Sequence, residues 1–220
     1  GNTGPSATTA NFTIDTTAPT VASFTTATAT GSYKQGEAIV ITANTSEAIQ
    51  SGNTITVTLD TTDTVILTAA SAGTTLVGTY TVGAGDTSAG LTVSSFSIGT
   101  VADTVGNAMS STTLPAASSI FGTKTIIIDT TAPTGAITYS AASPYKQNAT
   151  ATVTATFTEA LTTTPKIAIS GVSSVSAINM SGSGTTWTYT YTAPAGNGTD
   201  TFAFSVGTDA SGNVVTAAPT

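Results

Sequence analysis

Alternation of apolar and polar residues runs through the chain. Ile39/Ile41/Ala43, Val153/Ala155/Phe157, Trp187/Tyr189/Tyr191 and Phe202/Phe204/Val206 each put an apolar side chain at every second position. Successive side chains of a strand point to opposite faces, so this period marks strands with one buried face. Thr fills many of the alternate positions, and a β-branched polar residue suits the wet face of a sheet. The pattern predicts strands over 20–26, 38–44, 54–59, 64–69, 76–82, 91–98 and 123–128. A second group follows over 135–141, 151–157, 166–170, 175–180, 186–192 and 201–206. Gly, Asn, Asp and Pro separate them, as at Ser51-Gly52-Asn53 and Ala195-Gly196-Asn197-Gly198. No segment carries a sustained helical period.

The two groups are copies of each other. Phe12-Thr13-Ile14-Asp15-Thr16-Thr17-Ala18-Pro19-Thr20 matches Ile126-Ile127-Ile128-Asp129-Thr130-Thr131-Ala132-Pro133-Thr134, 114 residues on. Tyr33-Lys34-Gln35 matches Tyr145-Lys146-Gln147, and Ser46-Glu47-Ala48-Ile49 matches Thr158-Glu159-Ala160-Leu161, both 112 residues on. Asp103-Thr104-Val105-Gly106-Asn107 matches Asp209-Ala210-Ser211-Gly212-Asn213, 106 residues on. Four matches in one order indicate a tandem duplication. The repeat is too long for a solenoid unit and suits an independently folded sandwich. The expected fold is all-β: two tandem immunoglobulin-like β-sandwiches over 16–129 and 130–220, with residues 1–15 as an N-terminal extension strand.

Composition narrows the function. The net charge is −7, with four Lys, no Arg and no His, so the chain lacks the cations that nucleic acids and anionic membrane surfaces require. No apolar run is long enough for a helix to span a bilayer, and no signal peptide is present, so a mature or excised chain is expected. Without His or Cys, no Ser-His-Asp or Cys-His pairing can form. The eleven carboxylates fall mostly at predicted turns, away from any cleft that a glycosidase pair would need. No enzymatic activity is expected. Trp187, Tyr189 and Tyr191 read as core-facing residues before they read as a sugar platform.

The Asp-Thr-Thr-Ala-Pro junctions, the Ser/Thr-Glu-Ala turns and the Asp-x-x-Gly-Asn loops resemble those of the bacterial Ig-like repeats of large extracellular adhesins. The resemblance covers nearly the whole chain. It implies a cell-surface, structural protein, some relatives of which bind calcium where domains join. The junctions here carry fewer carboxylates than the strongly acidic members have.

Immunoglobulin topology gathers the start of a sandwich, its second-to-third strand loop and its sixth-to-seventh strand loop at one end. Asp15, Glu47 and Asp103 should therefore converge in the first repeat, and Asp129, Glu159 and Asp209 in the second. Each trio is a candidate Ca²⁺ site, since three carboxylates with carbonyls and water supply the six to eight oxygens the ion takes. The other reading is that each Asp merely opens an Asx-turn and each Asp-x-x-Gly-Asn a tight loop. Lys34 and Lys146 fall at the far end of their own repeats, so Lys34 is placed to reach the second repeat's junction.

The first repeat has a seventh strand at 123–128, whereas the second has no counterpart after Asp209. An unfilled groove and an unpaired sheet edge would result. The segment 7–14 aligns with the absent strand, Phe12 and Ile14 standing for Ile126 and Ile128. Donation of that strand to the second repeat of another copy would give head-to-tail filaments, with Ala10, Phe12 and Ile14 meeting Phe202, Phe204 and Val206. The rival reading is a repeat pair excised from a giant adhesin, with 1–15 left over from a preceding repeat, carrying a module for a cell-surface glycan or receptor.

Overall fold

The computed structural model describes residues 12–117, 120–215 and 219. Among these the protein is all-β and sandwich-like, without an α-helix. Its strands are β1 Val21–Thr25, β2 Gly31–Tyr33, β3 Ala38–Ile49, β4 Thr54–Leu59, β5 Thr64–Thr68, β6 Gly73–Thr81, β7 Thr87–Ser88 and β8 Val93–Thr100. They continue as β9 Ile126–Asp129, β10 Gly135–Tyr139, β11 Thr150–Leu161, β12 Lys166–Gly171, β13 Ser174–Asn179, β14 Ser181–Thr192 and β15 Asp200–Val206. All thirteen strands read from alternation are present. The two that were not foreseen, β2 and β7, are too short to show a period.

The chain divides into two compact units. One comprises Gly1–Ala27, Val40–Tyr80 and Thr92–Thr123, the other Thr28–Ile39, Thr81–Leu91 and Lys124–Thr220. In the first, a six-stranded sheet runs in the order β1-β3-β6-β5-β4-β8. Its alternate residues Ile41, Ala43, Ile55, Val57, Leu67 and Leu76 are fully buried, and the Phe24 ring meets Phe96 edge-on at 5.9 Å. Removing each large aliphatic side chain of this face from water contributes roughly 1.5–3 kcal/mol.

In the second unit, β10-β11-β14 faces β13-β12-β15. This repeats the strand order of the six-stranded sheet, with β10, β11 and β14 for β1, β3 and β6, and β13, β12 and β15 for β5, β4 and β8. Val153, Ala155, Phe157, Ile167, Ile169, Trp187 and Phe204 fill the space between the sheets. Phe157 and Phe204 lie 5.0 Å apart and press on β10 at Gly135, where a Cβ would come within 2.6 Å of Phe204. The same unit holds a small sheet, β2-β9-β7, with β2 parallel to β9 and β7 antiparallel to it.

One expectation is corrected by the strand bounds. The Ser46-Glu47-Ala48 and Thr158-Glu159-Ala160 segments are not turns. They lie inside β3 and β11, which run on to Ile49 and Leu161. A register shift between Thr156 and Leu161 marks an irregularity of the bulge kind, which lets a strand re-aim a side chain without ending. Residues 12–14 pair with nothing among the described residues of their own chain, and Phe12 and Ile14 are 94% and 84% exposed. The rest of that segment, Ala10 included, lies outside the described residues.

Candidate functional site

Both carboxylate trios come together. In each of Asp15/Glu47/Asp103 and Asp129/Glu159/Asp209, one oxygen per residue lies within 4.8 Å of the others. Oxygens on opposite sides of a Ca²⁺, each bonded at about 2.4 Å, are separated by about that distance, so the spacing accommodates one ion.

The two sites are built alike. The Asp103 Oδ1 accepts backbone N–H bonds from Val105, Gly106 and Asn107, and Oδ2 accepts from Asn107 Nδ2 at 2.7 Å. Asp209 Oδ1 accepts from the N–H groups of Ser211 and Asn213, and Oδ2 from Asn213 Nδ2. Gly106 and Gly212 sit at φ of 106° and 84°, conformations that side chains rarely adopt. The Asn amide then reaches the backbone carbonyl of the junction Asp: Asn107 to Asp15 at 3.2 Å, Asn213 to Asp129 at 2.9 Å. Asp15 and Asp129 also close Asx-turns onto the N–H groups of Thr17 and Thr131. The turn chemistry and the convergence are therefore both present. The sequence pattern pairs Asn107 and Asn213 with the Asp of each loop, but their tie to the junction Asp was not foreseen.

Charge crowding differs along each trio. Burial, and then repulsion from Asp15 and Asp103, raises the Glu47 carboxyl above its ordinary value. Burial, then Asp129 and Asp209, does the same to Glu159. Burial also pushes Asp103 upward, but the bonds from Asn107, Gly106 and Val105 outweigh it, and its carboxyl lies below the usual range. Glu47 Oε1 is shielded from solvent and accepts no hydrogen bond. Lys34 reaches the second site's loop as expected, its ammonium donating to the Gly212 carbonyl at 3.0 Å.

A second feature lies at the other end of the β10–β15 sandwich. A groove of about 990 Å³ runs between residues 139–145 and 193–200, over Tyr191 and Phe202. Tyr139 is half exposed and packs against Phe202 at 5.6 Å. Tyr191 packs edge-on against both Phe202 and Tyr145. At one side Asp200 accepts from Tyr191 Oη at 2.7 Å, and from Ser173 Oγ and N. Burial raises the Asp200 carboxyl, but these bonds outweigh it and hold it below the usual range.

The bounding segments have counterparts around β9. Gly31, Ser32 and Tyr33 of β2 pair with Ile126, Ile127 and Ile128; by the repeat they correspond to Ser143, Pro144 and Tyr145. On its other side β9 meets β7 and Leu91, in the β6–β8 connection. The matching β14–β15 connection forms the groove's far wall. Ile126 and Ile128 are buried. Among the described residues no strand lies where β9's counterpart would.

Of the six residues expected at a polymerisation site, Phe12 and Ile14 are exposed, Phe202 lines the groove, and Val206 is 40% exposed at the end of β15. Phe204 is a correction. It is 1% exposed, held in the core by Phe157, and not available to another chain. No protein-family model matches this chain, and no curated protein matches it in sequence.

Proposed function

We propose that the chain is a non-enzymatic structural subunit of an extracellular, pilus-like surface filament or adhesin stalk. It is two tandem Ig-like sandwiches that polymerise head to tail by donor-strand complementation. The observation carrying this reading is the groove over Tyr191 and Phe202, bounded by the counterparts of the segments that flank β9. A segment of the right sequence, Phe12-Thr13-Ile14, stands exposed. Strand addition satisfies an open edge through backbone bonds and fills the groove with alternate side chains. A contact between different surfaces repeats without closing and yields filaments.

Each three-carboxylate trio suits Ca²⁺ on this reading. The oxygens are hard and anionic, their spacing accommodates the ion, and the shielded, unpartnered Glu47 Oε1 offers a free lone pair. An ion there would stiffen the step from a strand ending in Asp15 or Asp129 into the following sandwich.

The aromatic groove also raises the carbohydrate-binding alternative. The groove's bounding segments favour a strand, since their counterparts hold β9. Tyr139, Tyr145 and Tyr191 meet their neighbours at interplanar angles of 57°, 64° and 74°, as tilted rings and not a coplanar set. Titrating a peptide of residues 1–15 into a chain lacking residues 1–14 tests the reading. Saturable binding that raises the melting temperature, lost with Phe12→Asp in the peptide, is expected. Absence of binding, with a glycan binding instead, would contradict it.

A further inference from the structure

We infer that the junction between two copies repeats the junction within one chain: Lys146 of the accepting copy donates to the Gly106 carbonyl of the donating copy, whose Phe12–Ile14 pairs in parallel with residues 143–145. This rests on the strand-donation reading and specifies its register and its second contact.

The register follows from the repeat. Gly31 pairs with Ile126 and Tyr33 with Ile128. Residues 112 further on give Ser143 and Tyr145; residues 114 earlier than Ile126 and Ile128 give Phe12 and Ile14. Phe12 of the donor therefore lies beside Ser143, and Ile14 beside Tyr145. The tyrosine of each segment is tethered alike. Tyr33 Oη donates to the Ala29 carbonyl, and Tyr145 Oη makes the same bond to Ala141. The exposures differ as an unfilled site requires: Gly31–Lys34 are half-buried, whereas Ser143, Pro144 and Lys146 are exposed.

The second contact follows from Lys34. Its ammonium meets the Gly212 carbonyl in the Asp209 loop, and Gly212 N–H bonds back to Asp209 O. Gly106 N–H bonds back to Asp103 O in the same way, so its carbonyl is presented alike. Lys146 is the counterpart of Lys34, is exposed, and has no side-chain partner among the described residues. Among the described residues, no Lys hydrogen-bonds to the Asp103 loop as Lys34 does to the Asp209 loop. Seating Phe12–Ile14 in the neighbour's groove brings that trio, which begins at Asp15, to the end of the neighbour where Lys146 lies. Charge and geometry are thus complementary between copies.

The chain lacks Cys, so introduced pairs report contacts cleanly. Thr13→Cys with Pro144→Cys should give a ladder of oligomers on a non-reducing gel, and Thr13→Cys with Gln147→Cys should not. Lys146→Ala should raise the concentration at which filaments appear by roughly ten- to a hundredfold, the range for a hydrogen bond from a charged group. Lys34→Ala should leave that concentration unchanged while lowering the melting temperature. Filaments with a crosslink only in the shifted pair, or unaffected by Lys146→Ala, would overturn the register or the lysine contact while leaving strand donation standing. A crosslink confined to single chains would place the segment in its own groove and overturn the inference. Failure of the unmodified chain to form filaments would overturn both.

Discussion

Asn213 and Asp129 lie 84 residues apart in sequence and are joined by a 2.9 Å hydrogen bond from the side-chain amide to the backbone carbonyl. The same amide donates to the Asp209 carboxylate. One residue thus ties the Asp-x-x-Gly-Asn loop to the step out of β9. Asn213→Ala leaves a largely buried carboxylate short of a donor and should cost about 1.5–3 kcal/mol. Asn107→Ala breaks a longer bond, to the exposed Asp15, and should cost less. Urea unfolding of the two variants checks the order; equal losses would show that the tie to the junction Asp contributes nothing.

Phe204→Ala should destabilise the protein by roughly 3–5 kcal/mol, because the ring is enclosed by Phe157 and the core of the β10–β15 sandwich. Phe202→Ala removes a ring beside the groove and should cost less stability but weaken assembly more. Equilibrium unfolding and the filament threshold separate the two effects. A loss under about 1 kcal/mol for Phe204→Ala would contradict its placement.

Without divalent cations, stability should have a maximum in mild acid. Glu47 and Glu159 are raised above their ordinary 4.5, so the folded state holds their protons more tightly than the unfolded chain does. Their contribution is full below 4.5 and is lost as pH rises through the folded values. Asp103 and Asp200 are lowered from 3.8; their contribution is present above 3.8 and is lost as pH falls through the folded values. Urea midpoints in chelator should therefore rise from neutral pH toward 4.5 and fall below 3.8. A midpoint that falls steadily from neutral pH would refute the crowding of the Glu pair.

Calcium should flatten that profile and raise the melting temperature at neutral pH. An ion present at a hundred times its dissociation constant adds about 2.7 kcal/mol per site. Glu47→Gln and Glu159→Gln should each remove part of the shift and leave the chelated protein no less stable. An unchanged melting temperature between calcium and chelator would exclude a structural ion at both trios.

Much of this architecture is legible in the residues. Apolar alternation such as Ile39/Ile41/Ala43 marks a strand locally, and the offset between Asp15 and Asp129 exposes the duplication that brings the carboxylates together. Glu47 was harder: Ser-Glu-Ala looks like a turn, but the strand pairing on both sides of it keeps β3 going. β2 and β7 were invisible because Gly31–Tyr33 and Thr87–Ser88 are defined by β9 rather than by any pattern of their own. Phe204 lies on the face that the alternation predicts, but Phe157 of its own chain already covers it, since periodicity gives a side chain's direction and not its neighbours. The Asp200–Tyr191–Ser173 cluster joins three segments and left no local signal.

Electron microscopy of the purified full chain beside a variant lacking residues 1–14 addresses strand donation most directly. The full chain should form filaments one subunit wide. The variant should remain a folded monomer, and should bind once, as a terminal acceptor, to a filament end exposing Phe12 and Ile14. Filaments from the variant that match those of the full chain would contradict donation through Phe12 and Ile14.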